Sequence, residues 1–248
     1  MTIIVDDLAI NYETAGQGKM VLLLHGWGDN LKTFAGLAAV LSKDYRVIVL
    51  DLPGFGLSEV QKEAWNLDNY ASFLADFLKK LDTEVYAVIG HSNGGALAIR
   101  ALATGELTAG KLILLASAGI REGKTIPKTA IKVIAKTGKV ATFWLPKAQR
   151  HMLQRVLYGS IGSDYLVAPQ LKETFKLTVA QDVQEDAAKL KLPTLLIFAA
   201  NDPAIPLSDA KRYHNLIKRS KLEVLDGDDH FVHLDQPNRV TELIKEFL

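Results

Sequence analysis

The chain has 248 residues, 48% of them hydrophobic and 23% charged, with a formal net charge of +1; this balance suits a globular domain with a large core and gives no electrostatic reason to expect nucleic acid or a strongly acidic partner. No cysteine is present, which excludes disulfides, thiolate metal sites and a cysteine nucleophile. The amino terminus, Met1-Thr2-Ile3-Ile4-Val5-Asp6-Asp7, lacks the basic start and apolar stretch of a secretory signal, and no run approaches the roughly 18 apolar residues of a membrane helix, so the expectation is a soluble, cytoplasmic protein with no membrane span.

Thr2 to Val5 and Leu8 to Thr14 are β-rich segments parted by Asp6-Asp7, the pattern of a hairpin at a sheet edge. Met20-Val21-Leu22-Leu23-Leu24 is wholly apolar, as a strand covered on both faces must be, and it runs into His25-Gly26-Trp27-Gly28. A helix is predicted from Leu31 to Leu41, then a strand from Arg46 to Leu50 leading into Asp51-Leu52-Pro53-Gly54-Phe55-Gly56-Leu57-Ser58. Helix Leu67 to Leu81, strand Glu84 to Ile89, helix Gly95 to Ala103 and strand Lys111 to Ala116 follow. Strands alternating with helices imply right-handed crossovers and a parallel sheet, with the functional loops at the carboxyl ends of the strands.

Between Gly119 and Ala188 no strand is evident, and from Arg121 to Arg155 nine Lys or Arg residues face a single acid, Glu122. The expectation is a helical cap at 119–188 dividing a core made of 1–118 and 189–248, with Lys128, Lys132 and Lys136 on one solvated helical face. Strand character returns at Pro193 to Phe198, ending in Ala199-Ala200-Asn201-Asp202-Pro203. Helix Ser208 to Lys218, strand Leu222 to Leu225, the loop Asp226 to His233 and a helix from Pro237, with Val240, Leu243 and Ile244 turned to the sheet, complete the chain.

Gly90-His91-Ser92-Asn93-Gly94 sits between the strand ending at Ile89 and the helix beginning at Gly95. That is the setting of a nucleophile elbow: a turn so tight that Gly90 and Gly94 must flank it, with the serine Oγ raised above the sheet. A serine hydroxyl needs a base, and the base needs an orienting group. Of six histidines, His25, His91, His230 and His233 fall near strand ends. His230, on the loop after the last strand, best fits the chain order Ser, acid, His, and His233 is read as structural. Asp202, at the end of a buried strand, is the predicted acid in preference to Asp226, Asp228 and Asp229, which share the tight loop of His230. The oxyanion that forms on attack needs two N–H donors, for which the Asn93 N–H, at a helix N-terminus, and the Trp27 N–H are the candidates.

With His25-Gly26-Trp27-Gly28, Asp51 to Ser58, Gly90 to Gly95, Asp202 with Pro206, and His230 to Pro237 in order, the chain resembles the α/β-hydrolase superfamily over nearly its whole length, and most of all its cap-bearing esterase, haloperoxidase and C–C hydrolase branch. The resemblance implies an α/β fold with a mostly parallel eight-stranded sheet and a helical cap after strand 6. It supports Ser92, Asp202 and His230 as a triad with Trp27 and Asn93 at the oxyanion hole, and it makes the Asp51 loop structural. Ala199 departs from the glycine usual in relatives. Ser92 stands where dehalogenase-like and epoxide-hydrolase-like members carry aspartate, which disfavours both. The expected function is hydrolysis of carboxylic esters of small to medium acyl chains, with a small-molecule ester as partner and neither cofactor nor metal. C–C bond hydrolysis of the meta-cleavage-product type is the alternative, and a ligand-binding protein retaining a hydrolase site the third.

Overall fold

The computed structural model describes residues 1–121 and 169–248. Its strands are β1 (Thr2–Val5), β2 (Leu8–Ala15), β3 (Met20–Leu24), β4 (Arg46–Leu50), β5 (Val85–His91), β6 (Ala109–Leu115), β7 (Thr194–Ala199) and β8 (Ser220–Leu225). They form one eight-stranded sheet in the order β1-β2-β4-β3-β5-β6-β7-β8, antiparallel at β1–β2 and β2–β4 and parallel from β4 to β8. The described helices are α1 (Ala35–Leu41), α2 (Leu67–Lys80), α3 (Asn93–Thr104), α4 (Pro169–Ala180), α5 (Gln184–Lys189), α6 (Leu207–Leu216), α7 (Val232–Asp235) and α8 (Pro237–Phe247).

Strand alternation divides the apolar runs between two cores. Leu22, Leu24, Ile48, Leu50, Leu112 and Leu114 pack with α2, α3 and α6, while Val21, Leu23, Val47, Val49, Ile113 and Leu115 pack with α1 and α8. A strand apolar at every position is what two such layers require, and β3 is buried throughout. The first hairpin turns on Asp6 (φ 50°) and Asp7 (φ 61°), the left-handed pair that a two-residue turn needs to match the strand twist.

Two local expectations were too simple. The segment Leu31 to Leu41 is a 3₁₀ turn (Leu31–Phe34), opened by Thr33 N–H on the Asn30 carbonyl at 3.2 Å, followed by α1. Leu31 N–H donates to Asp51 Oδ1 at 2.7 Å and Lys32 N–H to Asn30 Oδ1 at 3.0 Å. The loop before Pro237 contains the short helix α7, whose Leu234 and Asp235 N–H groups both bond the Phe231 carbonyl at 2.8 and 3.0 Å; four residues are too few to register as a helical period.

The Asp51 motif is a brace. The buried carboxylate also accepts from Asn11 Nδ2 at 2.8 Å and Leu57 N–H at 2.9 Å, joining β2, the loop after β4 and the entry to α1. Replacing Asp51 by alanine strands these donors, and we expect a loss of about 2–4 kcal/mol in urea unfolding. A loss under about 0.5 kcal/mol would mean that the motif is not a brace.

Of the expected cap, Gly119 to Arg121, α4 and α5 are described; Lys128, Lys132 and Lys136 lie outside the described residues. α4 returns onto the core with Leu171, Thr174 and Thr178 buried at helical spacing.

Candidate active site

Because β3 to β8 are parallel, the loops carrying Trp27, Ser92, Asp202 and His230 all emerge from one edge of the sheet. Ser92, between β5 and α3, has φ 51° and ψ −119°, a conformation costing about 1–3 kcal/mol and held only where the surroundings fix it. Here its N–H donates to the Leu115 carbonyl at 3.0 Å, and its carbonyl accepts from Gly95 and Ala118 at 3.0 Å each. A Cβ on Gly94 would lie 2.2 Å from the Leu24 carbonyl oxygen, and one on Gly90 2.6 Å from that of Gly94. The start of α3 therefore rests directly on the end of β3, which only glycine permits.

Across the edge, His230 Nδ1 lies 2.8 Å from Asp202 Oδ2. The other carboxylate oxygen accepts from Ala204 and Ile205 N–H at 2.7 and 3.0 Å, so both oxygens of the buried Asp202 are hydrogen-bonded. Asp229 is occupied locally, accepting from Phe231 N–H at 2.8 Å. Of the two oxyanion candidates, Asn93 follows Ser92 and Trp27 follows Gly26 in the chain. Asn93 is the first residue of α3, so its N–H has no intrahelical partner. A Cβ on Gly26 would lie 3.1 Å from Ser92 Cβ, which brings the backbone leading into Trp27 against the serine.

His25 is buried. Leu52 N–H donates to its Nε2 at 3.0 Å, so the proton is on Nδ1, which donates to the Gly26 carbonyl at 2.8 Å; burial lowers its pKa. It braces the loop after β3.

Sequence reasoning missed how closely His91 and His233 attend His230. His91 Nε2 donates to the His230 carbonyl at 3.1 Å, with ring centroids 4.8 Å apart. His233 stacks on Phe34 at 5.0 Å and lies 4.9 Å from His91. The only sequence signal was their nearness to Ser92 and His230. Desolvation pushes the His91 pKa well down, and the same cause takes His233 down to about 3. Both stay neutral in the fold while the unfolded chain takes up protons below its ordinary pKa of 6.5. The unfolded state then binds more protons, so stability falls as pH drops below 6.5; for His233 the loss runs at about 1 kcal/mol per pH unit until about pH 3. His233 has no hydrogen-bond partner for either ring nitrogen among the described residues, so His233→Phe should preserve the fold at pH 7. In denaturant melts from pH 7 to 4 it should remove one histidine's share of the acid slope; an unchanged slope would contradict the assignment.

Among the described residues no group of three or more His, Asp or Glu could hold a metal ion, and no helix is long and apolar enough to cross a membrane.

Residues 21–243 match the model of the alpha/beta hydrolase family, and the chain belongs to that family. It is 25% identical to the pimeloyl-[acyl-carrier protein] methyl ester esterase of Aeromonas hydrophila, over 97% of this chain and 100% of that one. It is 24% identical to the 2-hydroxy-6-oxononadienedioate/2-hydroxy-6-oxononatrienedioate hydrolase 1 of Pseudomonas putida, over 98% of this chain and 92% of that one. Among solved structures, the esterase from Exiguobacterium antarcticum superposes with a TM-score of 0.82 at 23% identity, over 99% of this chain and 98% of that one. These matches bear out the α/β-hydrolase fold and its mostly parallel sheet.

Proposed function

We propose that the protein is a serine esterase acting on carboxylic esters of small to medium acyl chains, with Ser92 as nucleophile, His230 as base, Asp202 as the orienting acid, and the Trp27 and Asn93 N–H groups as the oxyanion hole. One observation carries the proposal: a serine held in strained backbone at the edge of the sheet that also bears a hydrogen-bonded Asp202–His230 pair. Ser92 Oγ bonds to the ester carbonyl carbon while its proton passes to His230 Nε2, and the carbonyl oxygen takes up negative charge at the two N–H groups. The tetrahedral centre then expels the alcohol, which receives that proton; water, deprotonated by His230, releases the acid and restores Ser92. Asp202 keeps the Nδ1 proton in place and stabilises the imidazolium. Residues 119–188 would cover the site as a cap.

The Aeromonas esterase supports an ester substrate, and the Pseudomonas putida hydrolase, nearly as similar, supports the C–C alternative. Turnover of p-nitrophenyl esters from acetyl to octanoyl, set against turnover of a vinylogous diketone ring-fission product, separates them. We expect ester hydrolysis with an optimum in the short to medium range. Turnover of the diketone alone would replace the ester assignment with C–C hydrolysis.

A further inference from the structure

Gly26 and Gly28 flank Trp27, Gly28 at φ 71°, and the turn's closing hydrogen bond, Asp29 N–H to the Gly26 carbonyl, is long at 3.4 Å. Backbone of this kind is weakly fixed by itself. The Gly26 carbonyl, on the same peptide unit as the Trp27 N–H, is held from one side by His25 Nδ1 at 2.8 Å; the second hold on Trp27 is its own side chain. The indole sits between Phe55, edge-on with centroids 4.9 Å apart, and Phe175, tilted at 5.1 Å.

Phe55 belongs to the loop braced by Asp51, but Phe175 comes from α4, far along the chain. α4 is pinned where it crosses the loop after β4. Thr174 Oγ1 accepts from Gln61 Nε2 at 3.1 Å and from Trp65 N–H at 3.0 Å, and Gln181 Oε1 accepts from Leu67 N–H at 2.6 Å. Leu171 fills the space beside Gly54, where a Cβ would come within 2.5 Å of it. These contacts fix the Phe175 ring against the indole.

We propose that Phe175 is a positioning residue: its ring, carried on α4, clamps the Trp27 indole and so, together with the His25 bond to the Gly26 carbonyl, sets the place of the Trp27 N–H beside Ser92. The proposal rests on the serine-esterase assignment above. Its consequence is that a residue outside every recognised motif governs stabilisation of the oxyanion, and does so whatever acyl group is bound.

The test compares wild type, Phe175→Leu, which keeps apolar volume but removes the ring, and Phe175→Tyr, which restores it. Each is assayed with p-nitrophenyl acetate and octanoate, and with alkyl trifluoromethyl ketones, whose tetrahedral adducts put an oxygen in the hole. One oxyanion donor is worth about 10²–10³ in rate, so a loosened one in Phe175→Leu should lower kcat by about tenfold for both esters, leave KM within about twofold, and weaken ketone inhibition by about tenfold. Phe175→Tyr should stay within about twofold of wild type throughout. A loss that falls on KM and grows with acyl length would make Phe175 a pocket wall and overturn the proposal, as would an unchanged kcat. Thermal melts confirm that the variants are folded. Ser92→Ala run alongside separates the two levels: activity that survives it defeats the esterase assignment itself, whereas activity that depends on Ser92 but is indifferent to Phe175 defeats only the clamp.

Discussion

Ser92→Ala is expected to reduce kcat for p-nitrophenyl ester hydrolysis by about 10⁴-fold or more while leaving the fold intact. The size follows from the role: without Oγ no acyl-enzyme forms, and His230 is left to activate water in a site shaped for a different attack. Stability should if anything change little, because the contacts that hold Ser92 are made by its backbone, to Leu115, Gly95 and Ala118. Alanine meets the same strain at φ 51° and contributes no new clash. Matched thermal melts and kinetics check both halves; a fall of less than about tenfold would remove Ser92 from the chemistry.

The second large effect is expected at Asp202. In Asp202→Asn one oxygen remains, and the Ala204 and Ile205 N–H groups, at 2.7 and 3.0 Å, compete for it. The amide NH₂ then faces His230 Nδ1, which must offer a lone pair where it formerly gave a proton. The ring proton moves to Nε2, the nitrogen that should receive the Ser92 proton. We expect kcat to fall by about 10³–10⁴-fold with KM little altered. A variant retaining more than about a tenth of wild-type kcat would show that Asp202 does not set the tautomer.

Much of this architecture was legible in the sequence because burial on both faces leaves a plain mark. Val21 to Leu24 and Leu195 to Phe198 are continuous apolar runs, and both are fully buried central strands. Ser92 was legible for a different reason: glycines at both flanks, between a strand and a helix, answer a steric demand that few other settings make. Sequence order gave no sign that β4 lies outside β3, since a crossover is decided by helix packing rather than by strand composition. The choice of Asp202 over its acidic neighbours rested on strand position, on their sharing the tight loop of His230 and on the family resemblance, and the 2.8 Å contact with His230 is a tertiary fact. The contacts of His91, His233 and Phe175 were unreadable for the same reason. Each side chain acts by lying against a residue distant in the chain or across a turn, and no periodicity encodes that. Phe175 is the extreme case, as α4 is brought to the loop carrying Trp27 by Thr174, Gln181 and Leu171 docking on the segment after β4.

The central claim is that Ser92 is a nucleophile activated by its surroundings, and covalent trapping tests it most directly. The folded protein would be treated with an alkyl fluorophosphonate, digested, and the modified residue located by mass spectrometry, with Ser92→Ala as the parallel sample. The account predicts one adduct, on the peptide carrying Ser92, formed in step with loss of ester hydrolysis and absent from the variant. Unmodified protein after prolonged exposure, or an adduct on another residue that abolishes activity, would contradict it.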